Sequence, residues 1–127
     1  MPFDGSNYDA HVTNPVTELL EQAWRLIDKP QKWTRGQPES ANGRRLCSLA
    51  ALQTATVRQS DFSFPHHVIA LVTLTRAMDM PLAAHGSALA SSIASFNDSH
   101  SHAEVSLAWQ RAIATSRTLP VDEVIRG

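Results

Sequence analysis

The run from Asn14 to Ile27 constrains the fold more than any other stretch of the chain. Val16, Leu19, Leu20, Ala23, Trp24 and Ile27 recur at steps of three, one, three, one and three, which places all six on one face of an α-helix and does not fit the twofold alternation of a half-buried strand. Asn14 is a good N-cap, and Pro15 sits at the first helical position, where a missing N–H costs nothing. Pro30 predicts the end of this helix near Asp28. A helix with a single apolar stripe must bury it against other elements, and the rest of the chain supplies partners of the same kind.

A second helix is expected over Leu46 to Val57, with Leu46, Leu49, Ala50, Leu52 and Ala55 inward. Pro65 opens a third, whose inward stripe reads Val68, Leu71, Val72, Thr75 and Met78. Its β-branched residues suit a strand, but the period of 3.6 persists over three turns and decides for helix. Gly86-Ser87 leads into a fourth carrying Leu89, Ile93 and Phe96, closed by the turn-forming run Asn97-Asp98-Ser99. Ser101 and Glu104 form a capping box ahead of a fifth helix with Val105, Ala108, Trp109, Ala112 and Ile113 inward. Leu119-Pro120 closes it, and Val121 to Ile125 suits one further turn. The expected fold is all-α, a compact single-domain bundle of about five amphipathic helices spanning residues 14–127. Met1 to Thr13, without periodicity, reads as a loose leader. Pro30 to Arg45, with Asn42-Gly43 suited to a tight turn, reads as a long loop or a short irregular hairpin between the first two helices.

Composition supports a folded core. With 127 residues, 43% hydrophobic and 18% charged, the chain is large enough for one domain without disulfide or metal staples. The net charge of −1 provides no long-range field for a phosphate backbone and speaks against nucleic acid as partner. Cys47 is the sole cysteine, so no intramolecular disulfide forms. The apolar stretches are interrupted well before the roughly 20 positions a bilayer crossing needs, and the first residues lack the basic start and apolar run of a signal peptide. A soluble cytoplasmic protein is expected.

Three motifs stand in order along the chain: Trp33-Thr34-Arg35-Gly36, then Cys47-Ser48-Leu49-Ala50-Ala51-Leu52, then Phe96-Asn97-Asp98. Together they resemble a family of small bacterial proteins, domain of unknown function 6197, through its W-x-x-G loop, C-x-L-G-A-L helix start and W-N-D turn. The similarity spans about Leu19 to Thr115. Ala50 stands where the family pattern has glycine, and Phe96 where it has tryptophan. The resemblance implies a shape and a set of marked positions, and no reaction.

The polar residues allow two functional readings. The leading one is a non-enzymatic interaction or regulatory domain with a protein partner, using a surface of Trp33, Arg35, Arg45 and Asp98. Loop residues held on a plain scaffold are where binding commonly resides. The alternative is a small cysteine-dependent hydrolase or transferase. In it Cys47, activated at a helix N-terminus, is the nucleophile, His100 the base, and Asn97 or Asp98 its orienter. The bland reading of Cys47 is a small buried apolar residue. Arg44-Arg45 beside the amides of the second helix suggests an anion site, although no phosphate-binding glycine loop accompanies it. His66-His67 and His100-x-His102 do not assemble a zinc ligand set by local spacing, and no metal or cofactor is expected. A homo-oligomer is compatible with all of this.

Overall fold

The computed structural model describes residues 14–37, 39–59, 64–80 and 86–119. Five α-helices lie among them: α1 (Pro15–Arg25), α2 (Ser48–Arg58), α3 (Phe64–Ala77), α4 (Gly86–Ser99) and α5 (His102–Ser116), with a single 3-10 turn at Pro30–Lys32. The architecture is all-α, as the periodicity predicts. The leader and the expected turn at 121–125 lie outside the described residues. None of the helices there is long and apolar enough to cross a membrane.

Helix α1 packs against α2, α3 and α5; α3 packs also against α4 and α5, and α2 against α4. The stripe read from the sequence is the buried face of α1: Val16, Leu19, Leu20 and Ala23 are all at most 1% exposed. The helix ends at Arg25, short of Asp28, because Leu26 and Ile27 donate their amides three residues back, to Ala23 and Trp24, tightening the last turn. Ile27 is nevertheless fully buried. Helix α5 also follows expectation. Its capping box is reciprocal, Ser101 Oγ accepting from Glu104 N and the Glu104 carboxylate accepting from Ser101 N, and its five predicted core residues are all buried.

Asn14 joins these two helices. Its Oδ1 accepts from Val16 N at 2.9 Å and Thr17 N at 3.3 Å, capping α1. Its Nδ2 donates to Ser116 O at 2.8 Å and Leu119 O at 3.2 Å, adding to the Ser116 carbonyl a second donor beside Leu119 N at the end of α5, where carbonyls lack intrahelical partners. Thr17 Oγ1 and Ser116 Oγ share a buried hydrogen bond of 2.6 Å beside it. One amide therefore caps the start of the first helix and the end of the last.

The middle helices depart from their predicted faces. Helix α2 begins at Ser48, because Leu46 is bridged to Trp33 and Glu39 in the preceding loop. Its buried residues are Ser48, Ala51, Leu52, Ala55 and Thr56, while Leu46, Leu49 and Ala50 are only half-buried. In α3, Ala70, Leu71, Thr73, Leu74 and Thr75 are buried and Val68 and Val72 are not. The α3 threonines can face inward because their hydroxyls donate to carbonyls one turn back, Thr73 to Ile69 and Thr75 to Leu71, so that neither hydroxyl is left unsatisfied. Contact with three other helices makes the buried face of α3 wide. In α4 the predicted Leu89, Ile93 and Phe96 are buried, but Asn97 and Asp98 lie within the last helical turn, not in a turn beyond it.

The Asn14 geometry separates its two roles. Asn14→Ala is expected to destabilise the fold by about 1–2 kcal/mol, the range for losing an N-cap. Asn14→Asp keeps the α1 cap but has no donors for Ser116 and Leu119, and should lose part of that amount. Urea denaturation of the two variants checks this; equal losses would mean that the link to α5 carries nothing.

Candidate functional site

The loop between α1 and α2 crosses the end of α4. After the 3-10 turn, Thr34 N donates to Leu46 O at 3.0 Å and Leu46 N to Lys32 O at 2.9 Å, so the outgoing and returning limbs run side by side. The tip is a tight turn: Gly43 N donates to Ser40 O and Ser40 N to Arg45 O, both at 2.9 Å, with Gly43 at φ +71°. The pairing consists of isolated bridges, parallel between Trp33 and Leu46 and antiparallel between Glu39 and Leu46, so the expected irregular hairpin is confined to the part of the loop from Glu39 to Leu46.

Asn97, fully buried, fastens this loop from below. Its Oδ1 accepts from Trp33 Nε1 at 2.6 Å, Ser48 N at 3.0 Å and Ser48 Oγ at 2.8 Å. Its Nδ2 donates to Thr34 O at 3.0 Å. This set of partners determines the orientation of the amide, since a flipped group would turn its NH2 toward three donors and its oxygen toward a carbonyl. Ser48 Oγ in turn accepts from Trp109 Nε1 at 3.0 Å, so two indoles are linked through one serine and one asparagine. Four separate parts of the chain, the loop, α2, α4 and α5, meet in this network.

The rim above it is polar and exposed. Asp98 accepts from Gly36 N at 2.7 Å, and Arg35 Nη1 donates to His100 O at 3.0 Å. Gly36 has φ +83° with open space where a side chain would stand, so glycine is needed there for its backbone conformation and not for room. The Arg35 guanidinium lies 5.8 Å from the Trp33 ring centroid, within cation–π range. His102 packs under the loop: its ring stacks on Trp24 at 5.8 Å and meets Trp33 edge-on at 5.4 Å, and Nε2 donates to Ile27 O at 2.8 Å.

The structure thus brings Trp33, Arg35, Asn97, Asp98 and His100 to one place. Arg45 is on the returning limb, where its backbone pairs with Ser40. Cys47 is the N-cap of α2, with Sγ accepting from Ala50 N at 3.3 Å. It is 6% exposed, and burial pushes its thiol above the usual range despite the lowering by the Ala50 and Leu49 amides; the charge of Asp98 raises it further. His100 stacks on Phe96 at 3.7 Å between ring centroids and donates Nδ1–H to Phe96 O at 2.9 Å. The amides that would form an anion site at the head of α2 are occupied, Ser48 N by Asn97 and Ala50 N by Cys47. Among the described residues, no group of three or more His, Cys, Asp or Glu is placed to hold a metal ion.

Two contributors, Ser48 and His102, escape sequence reasoning, and a third, Trp109, reads only as core. Ser48 and Trp109 complete the network, but nothing local marks Ser48 as buried. His102 reads as a solvated residue in a first helical turn, whereas two tryptophans and a backbone carbonyl enclose it. No aromatic residue stands three or four positions from it along the chain to mark it, and Trp24 and Trp33 come from distant segments.

The model of DUF6197, a family of unknown function, matches residues 11–115. No curated protein and no solved structure matches the chain. The three motifs behind the resemblance are the segments that Asn97 and Asp98 tie together.

Asn97→Leu should cost about 3 kcal/mol or more, since Trp33 Nε1 and both Ser48 donors lose their acceptor in a dry site. Trp33→Phe removes one donor and leaves the amide with Ser48, and is expected to cost less. Denaturant titration orders the two; a small, equal effect would show that the amide does not anchor the loop. Cys47 in the folded protein should react with iodoacetamide far more slowly than in denaturant, as a buried thiol with a raised pKa must. Equal rates in the two conditions would contradict this burial.

Proposed function

The chain belongs to the family of unknown function DUF6197, and as that membership brings no activity with it, we propose from the geometry that it is a non-enzymatic interaction domain whose recognition surface is the outer side of the Trp33 loop and the adjoining end of α4. The observation that carries this reading is the pairing of a buried lock with an exposed rim. Asn97 holds the loop from inside, while Arg35, Gly36, Gln37 and Asp98 remain exposed. A loop ordered in advance loses less entropy on binding, which favours affinity without added contact area. The expected partner is a protein.

A cysteine-dependent hydrolase or transferase keeps one supporting observation, the placement of Cys47 at the head of a helix. Against it stand the burial and raised pKa of the thiol, since the reactive species is the thiolate. Asn97, cast as orienter, is fully engaged with Trp33, Thr34 and Ser48.

The full chain used as bait in a lysate of its source organism, with cross-linking and mass spectrometry, tests the interaction reading. Partner capture should survive Cys47→Ala and fall with Asp98→Ala or Arg35→Ala, both on the exposed rim. Capture indifferent to the two rim changes would remove this surface from consideration.

A further inference from the structure

Charge is distributed unevenly along the chain in a way the total conceals. Between Lys29 and Arg45 stand five of the eleven basic side chains, Lys29, Lys32, Arg35, Arg44 and Arg45, against one acid, Glu39. The remainder of the chain carries six basic and eleven acidic residues. The segment thus has a net charge of +4 against −5 for the rest of the sequence, and among the described residues outside it five basic side chains stand against six acidic ones, close to balance. It is also the segment whose shape the buried amide fixes.

Little of this positive charge is neutralised in place. Lys32 pairs with Asp28 at 2.9 Å, and Arg35 gives one N–H to the His100 carbonyl, which carries no formal charge. Lys29, Arg44 and Arg45 are exposed, and among the described residues their side chains enter neither ion pair nor hydrogen bond. The limbs that bear Arg35 and Arg45 are held side by side by the bonds between Thr34, Leu46 and Lys32. The backbone under Arg44 and Arg45 is fixed by Asn42 Oδ1, which accepts from Arg44 N at 3.0 Å, and by Ser40 Oγ, which accepts from Arg45 N at 3.1 Å.

We infer that this face binds an acidic protein segment, a run of Asp and Glu carboxylates received by Arg35, Arg44 and Arg45. The inference rests on the reading of the loop as a recognition surface and names the chemistry of its partner. Guanidinium forks match carboxylates in bidentate geometry and hold them better than a point charge does. A nucleic acid fits less well. Single strands are held by stacking of bases on exposed aromatic rings, and the one aromatic side chain of the loop, Trp33, is half-buried, with Arg35 over its ring and His102 edge-on to it. A lipid surface fits less well too, since the large hydrophobic side chains exposed among the described residues, Val57 and Leu107, lie on α2 and α5 and not in the loop.

The test uses fluorescence anisotropy on the full chain. The probe is a labelled peptide composed of glutamate and aspartate, compared with its glutamine and asparagine counterpart, a single-stranded oligonucleotide of similar charge, and phosphatidylserine vesicles. The acidic peptide should bind, the neutral one should not, and binding should weaken with added salt. Arg44→Glu with Arg45→Glu, at two exposed positions without side-chain partners, should reduce peptide affinity by about tenfold or more and leave the circular dichroism spectrum unchanged. No binding of the acidic peptide, or binding unaffected by the double reversal, overturns the inference. So does tighter binding of the oligonucleotide or vesicles, or self-association of the chain that the reversal abolishes. Partner capture lost with Asp98→Ala but insensitive to the double reversal would retire the acidic partner and leave the interaction reading standing.

Discussion

A buried primary amide is costly unless each of its hydrogen-bonding groups finds a partner, and Asn97 satisfies this only if four pieces of chain arrive together. Its oxygen requires the Trp33 indole and the Ser48 amide and hydroxyl; its nitrogen requires the Thr34 carbonyl. Trp33 and Thr34 belong to a loop with no regular ladder of its own, Ser48 opens α2, and Ser48 also receives the Trp109 indole from the core of α5. Any displacement of the loop strands a donor in a place closed to water, which carries a penalty of about 1–3 kcal/mol for each group. The loop is therefore ordered by satisfaction of a helix residue and not by its own propensity.

The same network quiets the chemistry that the helix head suggests. A helix N-terminus activates a thiol or binds an anion through its free amides. At α2 the Ser48 amide is directed to Asn97, and the Cys47 sulfur accepts the Ala50 amide as a cap. The sulfur thereby receives some of the stabilisation a thiolate would want, but desolvation outweighs it and the neutral thiol is favoured. Cys47 serves this helix in the way a serine or threonine serves others. Polar chemistry is left to the rim, where Asp98, Arg35 and His100 remain in contact with solvent.

What the sequence makes legible is what local rules govern. The stripe of α1, the Asn14-Pro15 start and the Ser101–Glu104 box are written within a few residues of where they act, and each is present as read. The face of α2 is not legible in that way. Ser48 is buried because of Asn97, some fifty residues away, and its burial rotates the helix so that Ala51 turns inward and Leu49 and Ala50 turn partly outward. Asn97-Asp98-Ser99 has the composition of a turn, and local preference assigns it to one. The tertiary bonds to Trp33, Thr34 and Gly36 compensate for weak helix propensity and keep the run helical. The three motifs of the site are visible in the sequence as separate words; their meeting is a property of the fold.

Net charge illustrates a similar limit. A total near zero is the sum of a basic loop and an acidic remainder, and a sum discards the separation between them. At physiological ionic strength fields fade over about 8 Å, so a partner close to the loop responds to the loop and scarcely to the total. Flexible basic residues would relax this contrast by folding back onto acids of the body. Here the backbone that carries them is pinned by Asn42, Ser40 and Leu46, and beneath these by a neutral asparagine. The buried anchor, Asn97, holds the shape without adding charge, and the carboxylate that also fastens the loop, Asp98, takes the Gly36 amide at the exposed rim.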